Sequence, residues 1–142
     1  MNPSSNVKLT NPPAIHKPLG YSHVAEVAKG KLVYIAGQVA LDAAGNLVGK
    51  DDFAAQTRQV FANLKAALES VGATFHNVIK LNYYCADSVD PAVHLPMVRE
   101  VRDGLVNMAA PPASTFVVVR RLVRPEWLIE VEAVAVVPDA SC

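Results

Sequence analysis

Two carboxylates stand where carboxylates are costly. In the run Trp127 to Val137, strand alternation puts Leu128, Glu130, Glu132, Val134 and Val136 on one side of the backbone. A charge on such an apolar face is unfavourable unless it is paired or hydrogen-bonded. A carboxyl whose pKa burial raises serves as a general acid or base. The alternative is a strand end where both glutamates meet arginines or water. Arg120, Arg121 and Arg124, clustered near the tip of the preceding hairpin, are candidate partners, or belong to a solvated loop. Other chemistries find less footing. His16, His23, His76 and His94 lack metal-ligand spacing and no cysteine pair accompanies them, so no metal site is expected. The glycines form neither a dinucleotide fingerprint nor a phosphate loop. Ser22, Ser70, Ser88 and Ser114 lack the context of a nucleophile elbow.

Those glutamates need a scaffold, and the chain has the size for one. It carries 142 residues, 51% hydrophobic and 18% charged, enough for one domain with its own core. Lysine plus arginine balance aspartate plus glutamate at 13 each, which provides no electrostatic footprint for nucleic acid or an anionic membrane. No apolar run approaches a membrane span, and Met1 to Thr10 contains no apolar stretch of signal-peptide length. With only Cys85 and Cys142, the expectation is a cytoplasmic protein with reduced thiols.

Residues 1–11, rich in Asn, Ser and Pro, read as a flexible arm, 12–138 as a single domain and 139–142 as a tail. Tyr21 to Ala28 and Lys31 to Gly37 read as strands, and Ala43 to Asn46 as a hairpin tip. Phe53, Thr57, Val60, Phe61, Leu64, Leu68 and Val71 trace one face of a helix over Asp52 to Val71, capped by Asp51 or Asp52 and stopped by Gly72. Val78 to Ala86 is a strand. A second helix over Val93 to Asn107 turns Met97, Val98, Val101 and Leu105 inward and is expected to start near Leu95, because Pro96 fits poorly deep inside it. Ala113 to Arg121 and Trp127 to Val137 complete the set. This order predicts an α+β fold, a mixed sheet with two helices on one face. Phe116 to Val119 and Leu128 to Val137 are apolar on both sides, so the second sheet face calls for oligomerisation, or for the N-terminal arm as a third layer.

Several motifs, in order, resemble the Rid (YjgF/RidA) family. They are Gly20-Tyr21-Ser22, Tyr34-Ile35-Ala36-Gly37-Gln38, the helix segment Gln56 to Leu64, Pro112-Ala113-Ser114-Thr115, and Ile129 to Val136. The resemblance implies a chorismate-mutase-like fold and a homotrimer with small-molecule clefts between subunits. It also implies hydrolysis of an imine or enamine to a carbonyl compound and ammonia, without cofactor or metal. Glu130 matches the family's water-positioning glutamate, Tyr21 a cleft tyrosine and Gly37 a backbone position beside the ligand. Ser114 stands where the family has its carboxylate-clamping arginine. Phe116 replaces a cysteine, Ala36 a serine, and Leu95 an asparagine. The implied site is therefore Glu130 as catalytic residue with Tyr21, Ala36, Gly37, Leu95, Ser114 and Phe116 binding substrate.

A charge-assisted bond is worth about 1.5–3 kcal/mol, and serine cannot replace the lost positive charge. Arg120 lies roughly 20 Å along the strand from Ser114, too far to substitute. Arg99, Arg102 or a neighbour's arginine stay open as replacements. Turnover of 2-aminoacrylate is expected to be weak or absent, with a cleft suited to an uncharged or larger ligand. Alternatives are a non-catalytic metabolite-binding or regulatory trimer, and a ribonuclease, against which the neutral charge and the lack of a catalytic histidine pair both weigh.

Overall fold

The computed structural model describes residues 6–139. Cys142 and Met1 therefore lie outside the described residues. Strands β1 (Val7–Thr10) and β2 (Val24–Val27) form an antiparallel ribbon. Strands β3 (Lys31–Gln38), β4 (Val78–Ala86), β5 (Ala113–Val119) and β6 (Ile129–Val137) form a mixed sheet in the order β3-β6-β4-β5. Helices α1 (Phe53–Glu69) and α2 (Pro91–Asp103) pack on one of its faces.

The last two strands do not form the hairpin that their succession suggests. β6 inserts between β3 and β4, antiparallel to both, and leaves β5 at the edge, parallel to β4. The arm also differs from expectation. Residues 7–10 pair along β2, because a short alternating segment gains ladder hydrogen bonds there that a free arm lacks. The ribbon is tied to the edge of β5: Ser22 donates its amide to Pro112 and its hydroxyl to Pro111. It does not become a third layer, and Leu32, Tyr34 and Val117 remain exposed.

In α1, Asp52 is the cap and accepts from the amide of Ala55. Phe53, Thr57, Val60, Phe61, Leu64 and Leu68 are buried as the periodicity predicts. Val71 lies past the helix end and is exposed, so the apolar face closes at Leu68. Helix α2 begins earlier than expected. Asp90 caps it, accepting from the amide of Ala92, and Pro91 occupies the first position, where a missing N–H is harmless. Pro96 is accommodated inside at the cost of one backbone bond. Its buried stripe also differs: Val98 and Arg102 are buried whereas Met97 is exposed.

Gln56 ties the layers together. Fully buried on α1, it donates to the carbonyls of Gly49 and Glu126 and accepts from the amide of Leu128. It thus closes the loop before α1 and the start of β6 with one side chain. Gln56→Leu leaves those backbone groups without partners, and chemical denaturation is expected to show a loss of about 2–4 kcal/mol; an unchanged midpoint would remove Gln56 from this role.

Candidate functional site

The alternation of each strand divides the expected site residues between two places. Ser114 and Phe116 share the helix-facing side of the sheet with Leu81 and Tyr83, their partners across β4–β5. There they line a cleft of about 290 Å³ together with Leu19, Tyr21, Leu95, Val98, Arg99 and Arg102. Helix α2 supplies one wall, since Leu95, Val98, Arg99 and Arg102 recur at the three- and four-residue spacing of one helix face. Phe116 stacks on Tyr83, with ring centroids 5.6 Å apart. The loop before β2 forms the rim. Tyr21 is held there by a 2.9 Å hydrogen bond between its hydroxyl and His16 Nε2, with the His23 ring edge-on to it.

The loop can close over the cleft because residue 20 is glycine. Its φ is +76°, and a Cβ there would fall 2.7 Å from Nη2 of Arg102. Arg102 is only 8% exposed. Its Nε and Nη2 both donate to Oδ1 of Asp103, at 2.8 and 2.6 Å. The Tyr83 hydroxyl is buried beside the Arg102 guanidinium, and no group meets it in full hydrogen-bond geometry. Burial drives its pKa upward, against the opposing pull of the Arg102 guanidinium, so the phenol stays protonated.

Glu130 belongs to the other sheet face. It lies opposite Tyr84 across β6–β4, and Tyr84 opposite Val117, so its side chain points away from Ser114 and the helices. A bulge inserts one extra residue in β3 between Ile35 and Gln38 and brings Ala36 and Gly37 to this region. Any Cβ on Gly37 would collide with the Glu130 carboxylate, so the acid rests on bare backbone.

The two glutamates have opposite environments. Glu132 accepts from Asn82 Nδ2 at 2.9 Å and from the Tyr84 hydroxyl at 2.7 Å, and these bonds lower its pKa. Glu130 makes no hydrogen bond or ion pair among the described residues. Desolvation, reinforced by the negative charge of Glu132, raises its pKa. Neither glutamate meets an arginine, which sets aside the ion-pair alternative. A neighbouring pair with pKa values pushed apart is the arrangement by which one carboxylate becomes a proton carrier while the other stays ionised. Cys85, in contrast, is buried with its thiol pushed up to about 12, and is unreactive. Among the described residues no three His, Cys, Asp or Glu groups converge to hold a metal, and no helix is long and apolar enough to cross a membrane.

Of the expected residues, then, Tyr21, Leu95, Ser114 and Phe116 share the cleft, while Ala36, Gly37 and Glu130 cluster across the sheet. Tyr83, Leu19 and Val98 were not anticipated. Arg102 was one of several candidates, and its distinguishing signal is its spacing of four from Val98 and seven from Leu95 on the buried stripe.

A mixed sheet backed by two helices, with a bulge-seated glutamate on its open face and a cleft on the other, defines a YjgF/RidA-type α+β domain. The family described as Endoribonuclease L-PSP matches residues 12–137, and the chain belongs to it, the Rid family. A solved structure of a Rid-family protein of unknown function from Yersinia pestis is similar, with 39% identity and a TM-score of 0.81 over 93% of this chain and 99% of that one. A RutC family protein from Pyrococcus horikoshii is 38% identical over 84% of this chain and 89% of its own length. A 2-iminobutanoate/2-iminopropanoate deaminase from Dermatophagoides farinae is 27% identical over 76% of this chain and 80% of its own.

The glutamate asymmetry is directly measurable. Carbon-detected NMR titration is expected to place the Glu130 midpoint above that of Glu132; the reverse order would overturn the assignment. For stability the signs are opposite. Glu130 contributes stability that is present below its ordinary pKa and lost as pH rises through its raised one. Glu132 contributes stability present above its ordinary pKa and lost as pH falls through its lowered one.

Proposed function

We propose that this protein is a cytoplasmic homotrimer that hydrolyses a small imine or enamine to a carbonyl compound and ammonia in clefts formed between subunits. The observation that carries the proposal is the division of the site: within one chain, a four-stranded sheet stands between Glu130 and the Ser114 cleft. Those two halves serve one ligand only if the open face of one copy meets the cleft edge of another. The exposed apolar side chains Leu32, Tyr34 and Val117 on the open face support such a contact. The deaminase relative supports the reaction class.

The chemistry needs few groups. Glu130 orients a water and takes its proton as the oxygen adds to the electrophilic imine carbon. That proton passes to the nitrogen to give a neutral amino alcohol. Glu130 then takes the remaining hydroxyl proton and delivers it to the same nitrogen, so that the C–N bond breaks, ammonia leaves and the C=O bond forms. An enamine enters the same route after protonation at carbon. A carboxylate with a raised pKa suits both halves of this proton transfer. No cofactor takes part in the proposed route. With Leu95 and Phe116 in the cleft, the substrate has a larger apolar body than 2-aminoacrylate.

Ser114 in place of arginine favours one second reading, a trimer that binds a metabolite or regulates a partner enzyme without turnover. A ribonuclease finds no comparable support, since net charge is zero and no histidine lines the cleft.

Light scattering at micromolar protein is expected to give about three times the 15.2 kDa chain mass, and a monomer would contradict the assembly. Tyr34→Glu should weaken that assembly by placing a charge on the apolar face. With bulky imines generated by an amino-acid oxidase, wild type should release ammonia at least about 100-fold faster than Glu130→Gln, the usual scale for loss of a general base. Equal rates would favour the binding role.

A further inference from the structure

Two side chains in the cleft do not fit a packed interior. Arg102 occupies a position of the α2 stripe where an aliphatic residue would complete the core, and a buried guanidinium costs several kcal/mol unless it is well paired. Its only ion-pair partner is Asp103, which engages Nε and Nη2 and leaves Nη1 without a partner among the described residues. Tyr83 is 2% exposed, and its hydroxyl is the one buried side-chain polar atom found unpartnered among the described residues. Phenylalanine would fill the same space without leaving an orphaned donor. Both residues line the Ser114 cleft.

We infer that Arg102 and the Tyr83 hydroxyl form an anchor for the carboxylate of a small ligand, replacing the arginine that is absent at position 114. The proposal deepens the reading of the cleft as a substrate site and rests on it. Three features support a carboxylate. The free Nη1 and the phenolic O–H are both donors, which an anion satisfies together and a neutral apolar ligand does not. The lining includes two cations, Arg99 and Arg102, against the single carboxylate of Asp103 that pairs with Arg102 from outside it, so the net local charge is positive and favours a negative ligand. Leu19, Leu95, Val98 and Phe116 surround these donors with apolar surface suited to a ligand's hydrocarbon part. Asp103 acts as a positioning residue, holding the guanidinium plane from its outer edge. Gly20 lets the rim approach that plane without a clash. The substitution at 114 thus moves the positive charge from the edge strand to the helix, and leaves room beside Ser114 for a broader substrate.

The test is calorimetric binding of 2-oxobutanoate and of its uncharged methyl ester to the intact protein. Wild type should bind the acid at least about tenfold more tightly than the ester, the scale of one charge-assisted bond. Tyr83→Phe should weaken the acid about tenfold, leave the ester unchanged, and retain or raise thermal stability, since it deletes an oxygen with no partner. Arg102→Met should weaken the acid further, and Arg102→Lys should recover part of the loss. The inference is overturned if the acid and ester bind alike, if wild type binds neither, if Tyr83→Phe leaves acid affinity unchanged, or if inorganic phosphate competes as well as the acid. Glu130→Gln separates this inference from the hydrolytic reading. Acid binding retained without imine turnover in wild type overturns hydrolysis alone, whereas turnover retained in Tyr83→Phe and Arg102→Met overturns the anchor alone.

Discussion

A sheet has two faces, and two helices of 17 and 13 residues cover one of them. This constraint governs the molecule. On the covered side, Ile129, Val131, Ala133 and Ala135 of β6 are buried beneath the helices. On the other, the same strand carries Glu130, Glu132 and Val134, beside the exposed Leu32 and Tyr34 of β3. Because β6 is central, every shift of its register by one residue would exchange these sets and put two carboxylates in the core. The register and the location of the acidic pair are therefore one fact.

That geometry also explains how the two glutamates diverge. Both stand on one face, two residues apart. Asn82 and Tyr84 of β4 both donate to Glu132, whereas the bulge in β3 brings a glycine under Glu130 and no donor reaches it. Partnering holds one carboxylate ionised, and desolvation beside a negative neighbour holds a proton on the other more firmly. The cleft beyond the sheet inverts this economy: it contains donors and no acid. Acid lies on one face and donors on the other, separated by the thickness of a sheet.

Much of the fold was legible in the residues. Helix α1 followed from its apolar period and from Asp52, and β4 from Val78 to Ala86 lay where its alternation placed it. Local order of this kind depends on residues a few positions apart, so one sequence window contains the cause. The paired β5–β6 hairpin was misread, because adjacency in the chain does not determine adjacency in a sheet, and the β4–α2–β5 crossover places β5 parallel at the edge. The early start of α2 was hidden by Pro96, because the helix is capped by Asp90 and entered at Pro91, one turn before that proline, and continues through it.

The sequence alone determined which side chains share a face of each element, since backbone periodicity is a property of consecutive residues. It therefore showed that Glu130 and Glu132 belong together on an apolar strand face, and that Ser114 and Phe116 share one side of β5. Only the tertiary structure decided that these pairs lie on opposite faces of one sheet, that Gln56 bridges the loop before α1 to the start of β6, and that Arg102 and Tyr83 converge on the Ser114 cleft. Those relations depend on strand order and helix docking, which are set by burial summed over the whole chain and are encoded in no single stretch of it.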